Sequence, residues 1–427
     1  MVLKKAAALA LSLATLLTFT GCKKVPVDTS SSSSGSSASS SSQPLTPETG
    51  AKLTYRTGST SDLAFAKAVA ANFAKQYGVP VTVEQGGLYD TQKMAIEGPT
   101  GKGPDVFMAP HDKTADGIKS GLFLPLDSRV VSAIQKIIRP QALKTVTYNG
   151  QIYGVPVSIE TYVLFYNKKV VTGKPAATFE ELAAQAKTFN DPKQNKFLYL
   201  FDASTGSPIY TLLSTYGFNL FGKDGTDEDH PGFDTPEYEK GLEVLHAYKS
   251  ILPVKASDLG NTDFLDTEFI QGKAGYILSG PWDVKSFRDQ GVDLGAVGLP
   301  TYQGHQERSF GFVQNAHVSA YTKYPAAAQL FAEYLVNSEN AELLYQKAAE
   351  ITARSDIAKI PGLSSDTVLM TIANAFDQSI PMPGVKKISY FWSIATDVGP
   401  AVFDGTITPK QGVAKSEQEW NEYSAAS

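Results

Sequence analysis

The stretch "KLTYRTGSTSDLAFAKAVAANFAKQYGVPVTVEQ" occupies residues 52–85. Its opening, "KLTYRTG" (52–58), reads as a strand entering a loop. Residues 62–78 then place apolar side chains at helical spacing, and Gly78 supplies a stop. "VPVTVEQ" (79–85) alternates as a strand does, and "GPDVFMAP" (103–110) is a short apolar strand bounded by Gly and Pro. The resulting β-α-β-α-β order predicts an α/β fold, with a parallel sheet covered by helices on both faces. Ligands of such sheets bind outside the carboxyl ends of the strands. The loops at those ends are Thr57–Ser61 and Ala109–Lys113.

Further along, "YNGQIYGVPVSIETYVLFYNKKVV" (148–171) begins with Asn149-Gly150, a strong hairpin turn, and continues into a buried apolar strand over Tyr162–Tyr166. A second set of helices and strands runs to about residue 300. "GKAGYILSGPWDVKSF" (272–287) reads as a strand, a Gly-Pro break and a helix start. Residues 315–348 give a strand and one long amphipathic helix from Pro325, a residue suited to a first helical turn. The tail from Thr367 is mostly helical, and no repeat of fixed period is visible.

The first fifty residues are of another kind. Lys4 and Lys5 precede an apolar run from Ala6 to Thr20, which is too short to span a hydrocarbon core about 30 Å thick. This is the shape of a secretory signal peptide. Phe19-Thr20-Gly21-Cys22 resembles a bacterial lipobox, with Phe19 in place of the usual leucine. Cys22 is the only cysteine, so no disulfide within the chain and no cysteine-based metal site forms. An ordinary signal peptide that leaves a free thiol is the alternative. The resemblance implies acylation of Cys22, which would tie the chain to membrane lipid on the outer face of the cell. Serine dominates from Ser30 to Ser42, a composition that cannot bury enough apolar surface to offset ordering entropy. The expected organisation is a signal peptide over 1–21 and a tether over 22–50.

Composition narrows the function. The 427-residue chain is 42% hydrophobic and carries a net charge of −5, which argues against a nucleic-acid partner. The five histidines, at 111, 230, 246, 305 and 317, make no metal-ligand pair at helical spacing. No cofactor is expected.

Four pieces, in order behind the lipobox, carry a resemblance: "GPDVFMAPHDK" (103–113), "YNGQIYGVPVSIETYVLFYNKK" (148–169), "GKAGYILSGPW" (272–282) and "ISYFWSIATDV" (388–398). Together they resemble the extracellular solute-binding proteins of ABC sugar importers, in particular the maltose/maltodextrin-binding family in its Gram-positive lipoprotein form. The resemblance implies a two-lobe fold of the periplasmic-binding-protein type. The first lobe would be 51–158 plus 315–362, and the second 159–314 plus 363–427. Hinge crossings would fall near Val157–Tyr162, Phe310–Gln314 and Pro361. It also implies an oligosaccharide in the cleft, a monomer, and an ABC permease as partner.

Sugars present an apolar C–H face to aromatic rings and a rim of hydroxyls to planar polar groups. Asp112, at the carboxyl end of a strand, matches an acidic sugar contact of the family; the alternative is a helix N-cap. Lys113 flanks it, and His111 is expected in solvent. Glu160, set among apolar residues in "VSIETYV", matches a hydroxyl acceptor, against a salt bridge between lobes. Trp282 and Trp392 match stacking positions, with lobe core as the alternative for each, and Tyr210 falls near a further aromatic. Trp420 reads as structural. The loop "RTGSTSD" (56–62) lacks the Asp-Lys pair of the best-known family form and offers Ser59 and Thr60 instead. A glycoside hydrolase would need two carboxylates across the scissile bond, and Asp112 with Glu160 would have to serve. A binding protein for another solute is the other rival. "GPTGKGPD" (98–105) lacks P-loop spacing, and "GKDGTDEDHPG" (222–232) lacks calcium-loop spacing.

Overall fold

The computed structural model describes residues 45–59, 62–87 and 90–426. Cys22 and Thr60 lie outside the described residues. Two sheets organise the chain. The first has seven strands, in the order Ile351–Thr352, Val155–Thr161, Phe310–Val318, Val106–Pro110, Leu53–Arg56 and Val81–Glu84, with Ile380–Pro381 pairing onto Phe310–Val318. The second has four, in the order Leu294–Val297, Val163–Asn167, Tyr276–Ser279 and Tyr199–Leu200.

The opening β-α-β reading holds in detail. Leu53 pairs with Val81 and Tyr55 with Val106, all in parallel. Leu63–Tyr77 is the crossover helix, and it ends on Gly78 at φ 69°, whose N–H bonds to Ala74 O. Glycine adopts this left-handed cap without the clash a Cβ would bring. The parallel order stops there. Phe310–Val318 inserts antiparallel between Val106–Pro110 and Val155–Thr161, a return from far along the chain that local periodicity does not reveal.

The crossover helix buries Phe65, Ala66, Val69, Ala70 and Phe73 on one stripe. The Phe73 ring meets Tyr77, Phe331 and Tyr334 at centroid distances of 4.7, 5.0 and 5.3 Å. Phe73→Ala is expected to lower the unfolding free energy by about 3–5 kcal/mol, read by urea denaturation. A loss below 1 kcal/mol would mean that the site collapses to fill the cavity.

Two local readings are adjusted and a third holds. The single helix expected from Pro325 is two, Pro325–Tyr334 and Ser338–Ala348, because Asn337 caps the second by accepting from Asn340 N–H. The Asn149-Gly150 hairpin forms, with φ of 48° and 77°. The folded body also begins before residue 51. Leu45 is buried, and the Glu48 carboxylate accepts from the N–H groups of Ala326 (2.7 Å) and Ala327 (3.0 Å) at the start of the Pro325–Tyr334 helix.

The chain leaves the first sheet at Thr161 and enters the second at Val163, so Tyr162 alone joins the two strands. It returns on Phe310–Val318. The helix Thr367–Asp377 packs on strands of both sheets, and Ile380–Pro381 still belongs to the first. Among the described residues no helix is long and apolar enough to cross a membrane.

Candidate sugar-binding site

Asp112 sits in the 3-10 turn His111–Lys113 that follows the strand Val106–Pro110. Its carboxylate is largely covered and pairs with Lys113 Nζ at 2.6 Å. The helix that follows has Lys113 at its N-cap and no side-chain capping bond, so the capping alternative for Asp112 has no hydrogen bond behind it. His111 is not in solvent. It is 3% exposed, its Nε2 lies 3.1 Å from Met382 O, and its Nδ1 accepts from Val313 N–H at 3.0 Å. Burial lowers its pKa, and these two bonds fit the neutral ring. The turn bearing Asp112 is thereby tied to segments 202 and 271 residues downstream.

Glu160 lies on the strand Val155–Thr161, opposite Phe312. It accepts a hydrogen bond from Gln314 Nε2 at 3.2 Å. Burial pushes its pKa up to about 7; the Gln314 bond pulls the other way and the charge of Asp62 adds to the rise. Glu350 stands nearby, and burial followed by the Asp62 charge holds it well above the usual carboxylate range. Among the described residues no cation pairs with Glu160, so the salt-bridge alternative has no partner. Ser59 accepts from Asp62 N–H through its hydroxyl (3.3 Å) and from Thr57 Oγ1 through its carbonyl (2.8 Å).

Trp282 opens the helix Pro281–Asp289, directly after the strand Tyr276–Ser279. It is 36% exposed, unusual for so large an apolar ring. The ring folds back over Gly280, where a Cβ would lie 2.3 Å from Cη2. Tyr162 meets it edge-on at 5.1 Å and 80°. Beside it is a cavity of about 220 Å³ whose walls include Asp202, Asp266 and Asp283. Burial pushes Asp266 up to about 7 and Asp283 up to about 6; a hydrogen bond with Ser279 opposes the second shift. A roomier cavity of about 620 Å³, lined by Thr161, Arg308, Ser309 and Gln378, contains neither candidate tryptophan.

Trp392 stands on the helix Ile388–Phe403, partly buried, with its ring T-shaped against Phe310 at 6.0 Å. It too rests on a glycine: a Cβ on Gly206 would lie 2.7 Å from Cε3. Gly206→Ala is expected to tilt this ring and weaken oligosaccharide binding about tenfold by titration calorimetry, with the melting temperature lowered by a few degrees. An unaltered affinity would mean that the ring makes no contact with ligand.

Tyr210 is core. It is fully buried, stacks on Phe310 at 3.6 Å and 9°, and donates its hydroxyl to Phe218 O. No face of the ring is left for a sugar, because the helix Gly206–Leu213 is covered on nearly every side. Trp420 is also buried, as read from the sequence. Two carboxylates of the acidic loop 222–232 are partnered, Asp227 with His230 inside the loop and Asp229 with Lys387 outside it. Among the described residues no cluster of His, Cys, Asp or Glu is placed to hold a metal. Sequence reasoning missed Tyr162, Asp202, Asp266 and Asp283. Tyr162 stood two residues from Glu160, but only the fold brings it to Trp282.

Two sheets joined through a single-residue crossing and a returning strand, with a tryptophan 36% exposed just beyond a strand end, fit a solute-binding protein of the two-lobe class. Residues 68–371 match the family described as bacterial extracellular solute-binding protein, and the chain belongs to that family. It is 28% identical to the galactooligosaccharide-binding protein of Bacillus subtilis, over 82% of this chain and 85% of that one. It is 27% identical to a maltooligosaccharide ABC transporter solute-binding lipoprotein of Streptococcus pneumoniae, over 77% and 79%. Among solved structures, MalX from Streptococcus pneumoniae in complex with maltopentaose aligns with a TM-score of 0.78 at 26% identity, covering 87% of this chain and all of that one. A cyclo/maltodextrin-binding protein complexed with maltotetraose gives 0.76 at 28%, covering 87% and 97%.

Proposed function

We propose that this protein is a membrane-tethered receptor that binds maltodextrin-type α-glucan oligosaccharides and delivers them to an ABC permease by lobe closure, without catalysis. The observation that carries this reading is the pair of tryptophans, each seated on a glycine and each leaving ring surface uncovered. In this reading Trp282 and Trp392 stack on sugar faces, and Asp112, Lys113 and Glu160 meet hydroxyls. Ser59 and Thr60 line the first-lobe loop, and acylated Cys22 anchors the monomer on the outer face of the membrane. The lobes are 51–158 with 315–362 and 159–314 with 363–427. Ligand contacts made by both lobes at once favour the closed state, which is how binding energy selects the form a permease recognises. The maltooligosaccharide name of one relative and the maltopentaose in complex with a structural neighbour support the α-glucan assignment. The Bacillus subtilis relative favours a second reading, a galactooligosaccharide ligand.

Calorimetric titration of residues 43–427 separates these readings. Saturable binding of maltotriose, without binding of glucose or xylotriose, is expected. A galactooligosaccharide binding in place of maltotriose would replace the assignment. Release of chromophore from a chromogenic α-glucoside would make the protein an enzyme.

A further inference from the structure

Five aromatic rings form a continuous row that begins at Trp282 and ends at Trp392. Trp282 meets Tyr162 at 5.1 Å, Tyr162 meets Phe312 at 6.1 Å, Phe312 meets Phe310 at 6.4 Å, and Phe310 meets Trp392 at 6.0 Å. All four contacts are edge-to-face, with interplanar angles between 73° and 87°. This arrangement sets the positive edge of one ring against the negative face of the next and fixes orientation as well as distance.

The row runs through the segments that join the sheets. Tyr162 is the single residue between the strands Val155–Thr161 and Val163–Asn167, and Phe310 and Phe312 stand on the strand that returns. The Trp282 side chain also hydrogen-bonds with the Asp283 carboxylate, which holds its polar edge. Gly280 lies beneath it without a side chain, and its neighbour Pro281 only starts the helix. Among the described residues, the one aromatic ring in contact with it is Tyr162.

The geometry points to Tyr162 as a positioning residue for the Trp282 platform, one that holds the indole upright from the crossing between the sheets. This inference rests on the reading of Trp282 as a sugar-stacking ring. A hinge works by rotation at a few backbone dihedrals, and a side chain rooted at the crossing turns with that backbone. Tyr162 therefore carries the state of the crossing to the platform.

The test is a double-mutant cycle on the soluble chain, residues 43–427, with maltotriose as titrant. Tyr162→Leu removes the ring contact and is expected to weaken binding about tenfold. Tyr162→Phe keeps the ring and is expected to stay within about twofold of the parent. In a Trp282→Ala background, Tyr162→Leu is expected to cost less than about twofold more, because the ring it orients is gone. The ligand-free protein supplies a second readout. The near-ultraviolet dichroism of tryptophan is expected to weaken in Tyr162→Leu and to persist in Tyr162→Phe, with thermal melts confirming that both fold. An equal loss of affinity in both backgrounds would overturn the proposal, since Tyr162 would then act on ligand directly or through the fold at large. If the parent binds no oligosaccharide, the functional reading fails, and the dichroism alone decides: an unchanged tryptophan band in Tyr162→Leu overturns the positioning role as well.

Discussion

Trp282→Ala is expected to bind maltotriose roughly 100- to 1,000-fold more weakly than the parent, a loss of about 3–4 kcal/mol typical of a central aromatic contact. The expectation follows from where the ring sits. Trp282 is 36% exposed at the start of a helix, where the core does not need it, and it is braced edge-on by Tyr162. Removing it takes away a flat apolar face and leaves the fold intact, so the melting temperature is expected to move by only a few degrees. Trp392→Ala is expected to be milder for affinity and worse for stability, because that ring also leans on Phe310 and Phe391. Calorimetry and thermal melts on the two variants give both numbers. A Trp282→Ala variant within threefold of the parent would remove the platform from the site.

Glu160→Gln is expected to move affinity and stability in opposite directions. The carboxylate sits where burial pushes its pKa up to about 7, from an ordinary value of 4.5. Between those two pH values the folded chain holds a proton that the unfolded chain has released. Stability therefore falls as pH rises through that window. Above it the full penalty for a buried charge is present, about 3 kcal/mol for a shift of this size. Glutamine carries no charge, so the variant is expected to melt higher than the parent at pH 8 and to match it near pH 4. Glu350, raised for the same physical reason, adds a slope of the same sign, and the variant lessens it because the Glu160 charge contributes to that rise. Affinity moves the other way. An ionised carboxylate accepts two hydroxyls strongly and an amide oxygen less so, giving a loss of about 10- to 100-fold. The parent's own affinity is expected to fall as pH drops below 7. A pH series of titrations on parent and variant checks both trends, and an affinity flat from pH 5 to 8 would exclude Glu160 from the hydroxyl contacts.

The parts of this protein that could be read from its sequence are those fixed by neighbours in the chain. The Leu63–Tyr77 helix, the Gly78 cap and the strand before Gly280 follow from periodicity and turn chemistry within a dozen residues. Asp112, Glu160, Trp282 and Trp392 could be singled out as candidates because motif and family resemblance pointed to them. What escaped depends on distant partners. His111 looked polar and exposed until Val313 and Met382 closed over it. Tyr210 looked like a spare aromatic because a helix buried on nearly all sides has no polar face to betray it. Glu48 looked like the end of a tether, yet it caps a helix 278 residues away. Asp202, Asp266 and Asp283 come from three separate segments and meet only at a strand end.

The two glycines beneath the tryptophans have a consequence for anyone who would change what this receptor accepts. A methyl group at position 206 or 280 is the smallest edit the genetic code allows there, and it would land on the indole itself. Ligand preference could thus drift in a lineage while both tryptophans stay in place. Comparing tryptophans alone would group proteins whose appetites had already parted, and the bare backbone under each ring is the better marker of a shared diet.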